Sequence, residues 1–215
     1  MNPPNPLTNP PALGVIILGA GISSRMGCPK LLLPWQGVTV IAHLIGQWQA
    51  VAAAQITVVC RPGDDALFAE LDRRTFPRPN RILNPHAERG MFSSVQCAAA
   101  WEGWQPGLTA WVIALGDQPH LERETIRTLL AGNARHPLAI CQPTRDGHAG
   151  HPILLPPRAF AELKNTTDET LKVFLKQNAG CTVQCPVNDH GLSLDLDTPE
   201  DYNFLRAKNP ANEKR

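Results

Sequence analysis

Two cations, a lone carboxylate and a later cluster of acids stand where their chemistry would combine. The segment Gly19-Ala20-Gly21-Ile22-Ser23-Ser24-Arg25-Met26-Gly27-Cys28-Pro29-Lys30 directly follows a continuous apolar run, Leu13–Leu18. Glycines in such a turn let backbone N–H groups approach an anion, and Arg25 and Lys30 add positive charge to the same loop. The spacing is not a dinucleotide fingerprint, because the third glycine is missing, and not a P-loop, because no Gly-Lys-Ser/Thr ending follows. It suits a triphosphate held by another device; a glycine-rich turn with a solvated Arg and Lys is the bland alternative. Asp117, in Leu115-Gly116-Asp117-Gln118-Pro119, stands just past the most hydrophobic run of the chain, Ala110–Leu115. A carboxylate at such a strand tip is well placed to hold Mg²⁺ together with substrate phosphates, although it could also cap the next turn. Asp195-Leu196-Asp197-Thr198-Pro199-Glu200-Asp201 offers further acids, Asp195 and Asp197, at a strand end, with Asp197 or Thr198 equally suited to be a helix N-cap.

Positioning these groups requires alternating strands and helices, and the hydrophobic pattern supplies them. Buried strands are predicted at Leu13–Leu18, Ile56–Cys60, Arg81–Leu83, Ala110–Leu115, Leu138–Gln142, Pro152–Leu155, Thr182–Val187 and Leu192–Leu196. Helices are predicted at Val38–Ala54, Asp64–Arg74, Ser93–Trp101, Glu122–Arg135, Arg158–Leu163 and Glu169–Asn178, with a last one opened by Thr198-Pro199. This alternation implies an α/β fold: a three-layer, Rossmann-like domain with a mostly parallel sheet, spanning residues 13–206. Residues 1–12 hold five of the 21 prolines and read as a disordered leader, and 207–215 as a flexible tail. In such sheets ligands bind beyond the carboxyl ends of the strands, which singles out the loops after Leu18, Cys60, Leu83, Leu115 and Leu196.

Composition narrows the function classes. The chain has 215 residues, 43% hydrophobic and 18% charged, with a net charge of +1. No basic stripe is present, so binding to nucleic acid through phosphate neutralisation is disfavoured. No run of about twenty apolar residues suggests a membrane span. The first Lys or Arg is Arg25, which leaves no charged secretory n-region and points to the cytoplasm. The six cysteines include no CxxC pair and read as reduced thiols, with a zinc half-site at Cys181/Cys185 as a minority reading. His148 and His151 are a further minor zinc reading, His43 and His136 read as packed or surface residues, and the five tryptophans as core or groove lining.

Taken together, these motifs resemble the nucleotidyltransferases that act on molybdopterin. Leu18–Gly37 is similar to their signature loop and Gly116-Asp117-Gln118-Pro119 to their GDxP motif. Asn84-Pro85 with Gly90-Met91 and Ser93-Ser94, then Gly150-His151-Pro152, resemble two further segments, and Asp197-Thr198-Pro199-Glu200-Asp201 resembles the closing motif. The first turn keeps Ala20, as in the branch that uses CTP, and departs from that branch at Gly19. The resemblance implies a cytoplasmic Mg²⁺-dependent enzyme that transfers CMP from CTP to the terminal phosphate of molybdopterin and releases pyrophosphate. Transient docking to a molybdoenzyme or its chaperone is a further implied partnership.

Residue by residue, the resemblance implies that Leu18, Gly19, Ala20, Gly21, Arg25, Lys30, Arg61, Gly90, Ser93, Ser94 and Gly116 contact the nucleotide. Asn84, Gln118, Pro119, Gly150, His151 and Pro152 would face the acceptor, and Asp117 and Asp197 would hold the metal. Lys30, Arg25 and Asp117 would carry catalysis. Guanylyl transfer, nucleotidyl transfer to a sugar phosphate and non-catalytic cofactor delivery are the alternatives. A Rossmann oxidoreductase lacks its acidic ribose-binding residue here.

Overall fold

The computed structural model describes residues 11–209, so most of the proposed leader and the end of the proposed tail lie outside the described residues. In chain order the elements begin with β1 (Leu13–Leu18), a small hairpin of β2 (Pro34–Trp35) and β3 (Val38–Thr39), and α1 (Val40–Gln49). Then come β4 (Gln55–Cys60), α2 (Asp65–Arg73), β5 (Arg81–Leu83), α3 (Met91–Ala100), β6 (Ala110–Leu115) and α4 (Arg123–Arg135). The second half holds β7 (Ile140–Arg145), β8 (His148–Ala149), β9 (Ile153–Leu155), α5 (Pro157–Leu163), α6 (Leu171–Gln177), β10 (Thr182–Pro186) and α7 (Pro199–Lys208). Among the described residues no helix is long and apolar enough to cross a membrane.

The main sheet runs β10-β7-β9-β6-β1-β4-β5, with β8 paired to β7. Alternation along β1 divides the core: Val15 and Ile17 pack with Leu44 of α1, Leu67 of α2 and Leu129 of α4, while Ile16 packs with Val95 of α3 and Phe160 of α5. A strand covered on both faces must be apolar throughout, which is why β1 and β6 read as unbroken hydrophobic runs. The three layers follow from that pattern. They match the expected Rossmann-like, mostly parallel architecture.

Register decides where the loops gather. Leu18 lies opposite Val59 of β4 and Leu115 of β6, and Cys60 lies opposite Leu83 of β5. Four parallel strands therefore end level along one edge. β9 runs the other way, antiparallel to both β6 and β7, as does the short β8 beside β7. Because it runs backwards, its start lies at that same edge, and Gly150-His151-Pro152 arrives beside the loop after β6. A short apolar run carries no sign of its direction, so the sequence does not reveal this reversal.

Several boundaries differ from the sequence-based expectation. The predicted strand Leu192–Leu196 is a 3-10 turn, His190–Ser193, followed by an extended segment outside the sheet. Leu192 is buried and lies over Gly150, so close that a Cβ at Gly150 would come within 2.7 Å of Leu192 Cγ. The backbone N–H of Leu196 donates to the Asp117 carbonyl at 2.9 Å instead of to a strand neighbour. Helix α1 begins only at Val40, since Thr39 caps it by accepting from Ala42 N–H. His148 belongs to a hairpin turned by Asp146 and Gly147, both with positive φ, as a two-residue primed turn requires. Cys181 is exposed while Cys185 is buried, and among the described residues no group of three or more His, Cys, Asp or Glu that could hold a metal occurs. The final helix continues through Lys208, two residues beyond the predicted end of the domain at 206.

Helix α7 starts with a reciprocal cap. Thr198 Oγ1 accepts from Asp201 N–H at 3.2 Å, and Asp201 Oδ2 accepts from Thr198 N–H at 2.9 Å. Thr198→Ala is expected to cost about 1 kcal/mol, read as a lower urea midpoint with an unchanged slope. An unchanged midpoint would show that the cap contributes nothing.

Candidate active site

The loops at the carboxyl edge enclose a cleft of about 730 Å³, within the range that holds a nucleotide-sized ligand. Leu18, Gly19, Ala20, Gly21 and Lys30 line it from the first loop, and Arg61 from the loop after β4. Asn84 lines it from the loop after β5, Gly90 and Ser94 from the start of α3, and Gly116 and Asp117 from the loop after β6. Pro85, Met91 and Asp195, noted in the sequence motifs without a role in the cleft, also line it, and Leu31, Pro62 and Glu88 escaped sequence reasoning. Wall residues such as Leu31, Pro62 and Glu88 have no chemistry that marks them; their only signal is proximity to a motif.

Charge is concentrated at the floor. Lys30 Nζ lies 2.7 Å from Asp117 Oδ2 and 3.2 Å from Asp197 Oδ1, and Arg25 Nη2 lies 2.7 Å from Asp197 Oδ2. Burial alone would push the Lys30 ammonium toward neutrality, but Asp117 and then Asp197 outweigh it and hold the pKa above its ordinary value. Lys30 is therefore a fixed cation. Its height is set by the next residue: Leu31 fits against two glycines, and a Cβ at Gly19 or Gly116 would come within 3.1 Å or 3.0 Å of its methyl groups. At Gly116 the same Cβ would also come within 2.5 Å of the Leu18 carbonyl oxygen. Glycine is needed at Gly116 for close approach.

The anion-binding reading of the first loop needs one correction. Gly19 N–H donates to the Val59 carbonyl at 2.9 Å, so the amides left to meet a phosphate begin at Ala20. Arg25 is largely exposed and turned to Asp197, outside the cleft lining. Ser93 lies in the neighbouring groove instead of the cleft, with its Oγ accepting from Asn84 Nδ2 at 2.9 Å. Asn84 also donates to Ser94 Oγ and accepts from His86 N–H, so its amide organises the loop. Arg61 keeps a loose 3.8 Å pairing with Asp64 and stays partly free.

The expected acceptor-side residues cluster behind Asp117. Gln118 and Pro119 are buried beneath the loop, and Gln118 Nε2 donates to Asp195 Oδ1 at 3.0 Å. Desolvation first, then the charge of Asp117, raises the Asp195 pKa despite that bond, and Asp197 adds to the effect. Pro152 is buried and Gly150 half-buried, while His151 is close enough to feel the Asp117 charge. Buried polar atoms without a partner gather here: Asp117 Oδ1, Gln118 Oε1, His120 Nδ1 and His151 Nε2. Two carboxylates bridged by a lysine, one with an unpartnered buried oxygen, form a donor set that fits a divalent cation shared with phosphate oxygens.

The buried imidazole yields a test. Burial pushes the His151 pKa from the ordinary 6.5 down to about 4, only partly opposed by Asp117. Between those values the unfolded chain binds a proton that the folded chain refuses, so stability falls as pH drops through that window. His151→Gln is expected to flatten the decline of the urea midpoint between pH 6.5 and 4, with a residual slope left by His43, which burial also lowers. An equally steep decline in the variant would contradict this assignment.

Known proteins resemble this chain in sequence and in fold. Residues 15–181 match the MobA-like NTP transferase domain. The molybdenum cofactor cytidylyltransferase of Escherichia coli is 28% identical over 202 residues, covering 92% of this chain and 96% of that protein. The bifunctional protein GlmU of Stenotrophomonas maltophilia is 30% identical over 172 residues, which is 75% of this chain but only 35% of that longer protein. Among solved structures, Rv0371c of Mycobacterium tuberculosis superimposes with a TM-score of 0.72 at 25% identity, covering 92% of this chain and 98% of that one. A complex of Rv0371c with manganese has a TM-score of 0.67 at 23% identity, covering 90% of this chain and 97% of that one. The chain belongs to the MobA-like NTP transferase family and is a nucleotidyltransferase.

Proposed function

We propose that this enzyme transfers CMP from CTP to the terminal phosphate of molybdopterin, forming molybdopterin cytosine dinucleotide and pyrophosphate. The observation that carries the reading is the Lys30 ammonium held between Asp117 and Asp197 at the floor of a glycine-lined cleft. The near full-length similarity to a molybdenum cofactor cytidylyltransferase supports the choice of both substrates. Nucleotidyl transfer to a sugar phosphate is the second reading, favoured by the similarity to GlmU over 75% of this chain.

The chemistry follows from the site. A phosphate oxygen of the acceptor attacks the α-phosphorus of the nucleotide, a new P–O bond forms, and the bond to the β-phosphate oxygen breaks. The electron pair leaves with pyrophosphate. The attacking phosphomonoester is already an anion at neutral pH, so no side chain need remove a proton. Ala20 and Gly21 amides would meet the phosphates, and Lys30 would turn from the carboxylates to the α-phosphate, where charge builds in the transition state. Asp117 and Asp197 would hold Mg²⁺; when bound, the ion supplies charge neutralisation and alignment of the two phosphates. His151, neutral at pH 7, would offer an uncharged contact beside Asp117.

Base choice rests on the first turn. Ala20 is buried and lines the cleft, and its methyl would narrow the space open to a guanine. The protein is to be incubated with molybdopterin, Mg²⁺ and each of the four nucleoside triphosphates, with pyrophosphate release as readout. Expected results are a preference for CTP over GTP of about a hundredfold in kcat/KM, narrowed in Ala20→Gly, and loss of turnover in EDTA or in Asp117→Asn. Equal use of GTP would overturn the cytidylyl assignment, and full turnover in EDTA the metal assignment.

A further inference from the structure

Asp197 lies on a segment that belongs to no sheet, yet the proposed chemistry needs it opposite Asp117. What holds it there is a second set of contacts, between the loop 117–122 and the segment 189–197, which run in opposite directions. Leu196 N–H donates to the Asp117 carbonyl at 2.9 Å, and Gln118 Nε2 donates to Asp195 Oδ1 at 3.0 Å. His120 Nε2 lies 3.0 Å from the Gly191 carbonyl, so that nitrogen carries the proton. At the far end Asp189 Oδ2 accepts from Glu122 N–H at 2.9 Å and from Thr125 Oγ1 at 2.8 Å, while its Oδ1 accepts from Gly191 N–H at 2.7 Å.

Asp189 is the strongest member of this set. It is 2% exposed, and both of its oxygens receive donors. Hydrogen bonds to a buried carboxylate are stronger than neutral ones, and losing one leaves a desolvated donor without a partner. Glu122 N–H and Thr125 belong to the start of α4, which is anchored in the core through Ile126 and Leu129. Gly191 is also constrained, since a Cβ there would come within 2.6 Å of His120 Cδ2. No element of the proposed reaction uses Asp189, and its surroundings Val187-Asn188-Asp189-His190-Gly191 carry no recognised motif.

We propose that Asp189 is a positioning residue for nucleotidyl transfer: by fastening 189–197 to the start of α4, it fixes the distance at which Asp197 faces Asp117 and Lys30. The inference rests on reading Asp117 and Asp197 as the metal-holding pair. Asp189→Asn keeps the shape but turns an N–H₂ toward groups that themselves donate, so the far end of the clasp loosens. Apart from Asp117 and Asp195, the nucleotide cleft is lined by loops outside this clasp, which the substitution leaves intact.

The test measures Mn²⁺ binding by electron paramagnetic resonance, with a non-transferable α,β-methylene analogue of CTP present, alongside kcat and KM. Asp189→Asn is expected to weaken Mn²⁺ binding and lower kcat by about 10-fold each, with KM for CTP changed less than about twofold. Thr125→Val removes a single donor and gives a milder variant should Asp189→Asn fold poorly; about a threefold loss of Mn²⁺ affinity is expected. A lower urea midpoint with unchanged Mn²⁺ affinity and kcat would reduce Asp189 to a structural anchor and overturn the proposal. Absence of Mn²⁺ binding by the unaltered protein would instead overturn the metal reading on which it rests.

Discussion

The ammonium of Lys30 between the carboxylates of Asp117 and Asp197 is the constraint that the rest of the site obeys. The three residues are far apart in sequence, 87 positions separating Lys30 from Asp117 and 167 separating it from Asp197. Bringing them within hydrogen-bond distance requires level strand ends in β1 and β6, a glycine on each strand exit to admit Leu31, and a clasp that keeps an irregular segment in place. Each requirement is met by a residue whose role would be obscure in isolation. Gly19 and Gly116 are small so that Leu31 can sit between the two exits, and Leu31 is fixed so that Lys30 points down.

The same interaction makes the site self-neutralising. Arg25 and Lys30 face Asp117 and Asp197, two positive against two negative charges, all partly shielded from water except Arg25. Partly buried charges left unpaired would be costly, and here the cations of the cleft pair with its own anions. A nucleotide bound with a divalent cation brings both signs at once. On the proposed reading the cations would exchange carboxylate for phosphate and the carboxylates would exchange ammonium for metal, so neither set would pass through an unpaired state. Asp195 lies beside this set, and burial together with the neighbouring acids raises its pKa above the ordinary carboxylate range.

Much of this was legible in the sequence, for physical reasons. Strands buried on both faces must be apolar throughout, so Leu13–Leu18 and Ala110–Leu115 could be placed to the residue, and the chemistry-bearing loops with them. The reversal of β9 was not legible, because three apolar residues look alike in either direction, although it is what delivers His151 to Asp117. The apolar spacing of Leu192, Leu194 and Leu196 suggested a strand; Leu192 packs over Gly150 and the backbone pairs with a loop instead. Asp189 was invisible since its partners lie 64 and 67 positions away. Arg25 was legible as a cation near phosphate, but its partner in the protein is Asp197.

The most direct measurement of the central claim is the steady-state kinetics of Lys30→Ala with CTP and molybdopterin, read separately as kcat and KM. A lysine that acts on charge developing at the α-phosphorus contributes most in the transition state, so kcat should fall by about a hundredfold or more while KM for CTP changes little. A rise in KM with kcat unchanged would contradict the account, leaving Lys30 as a clamp on the bound nucleotide and the triad as an arrangement for binding alone.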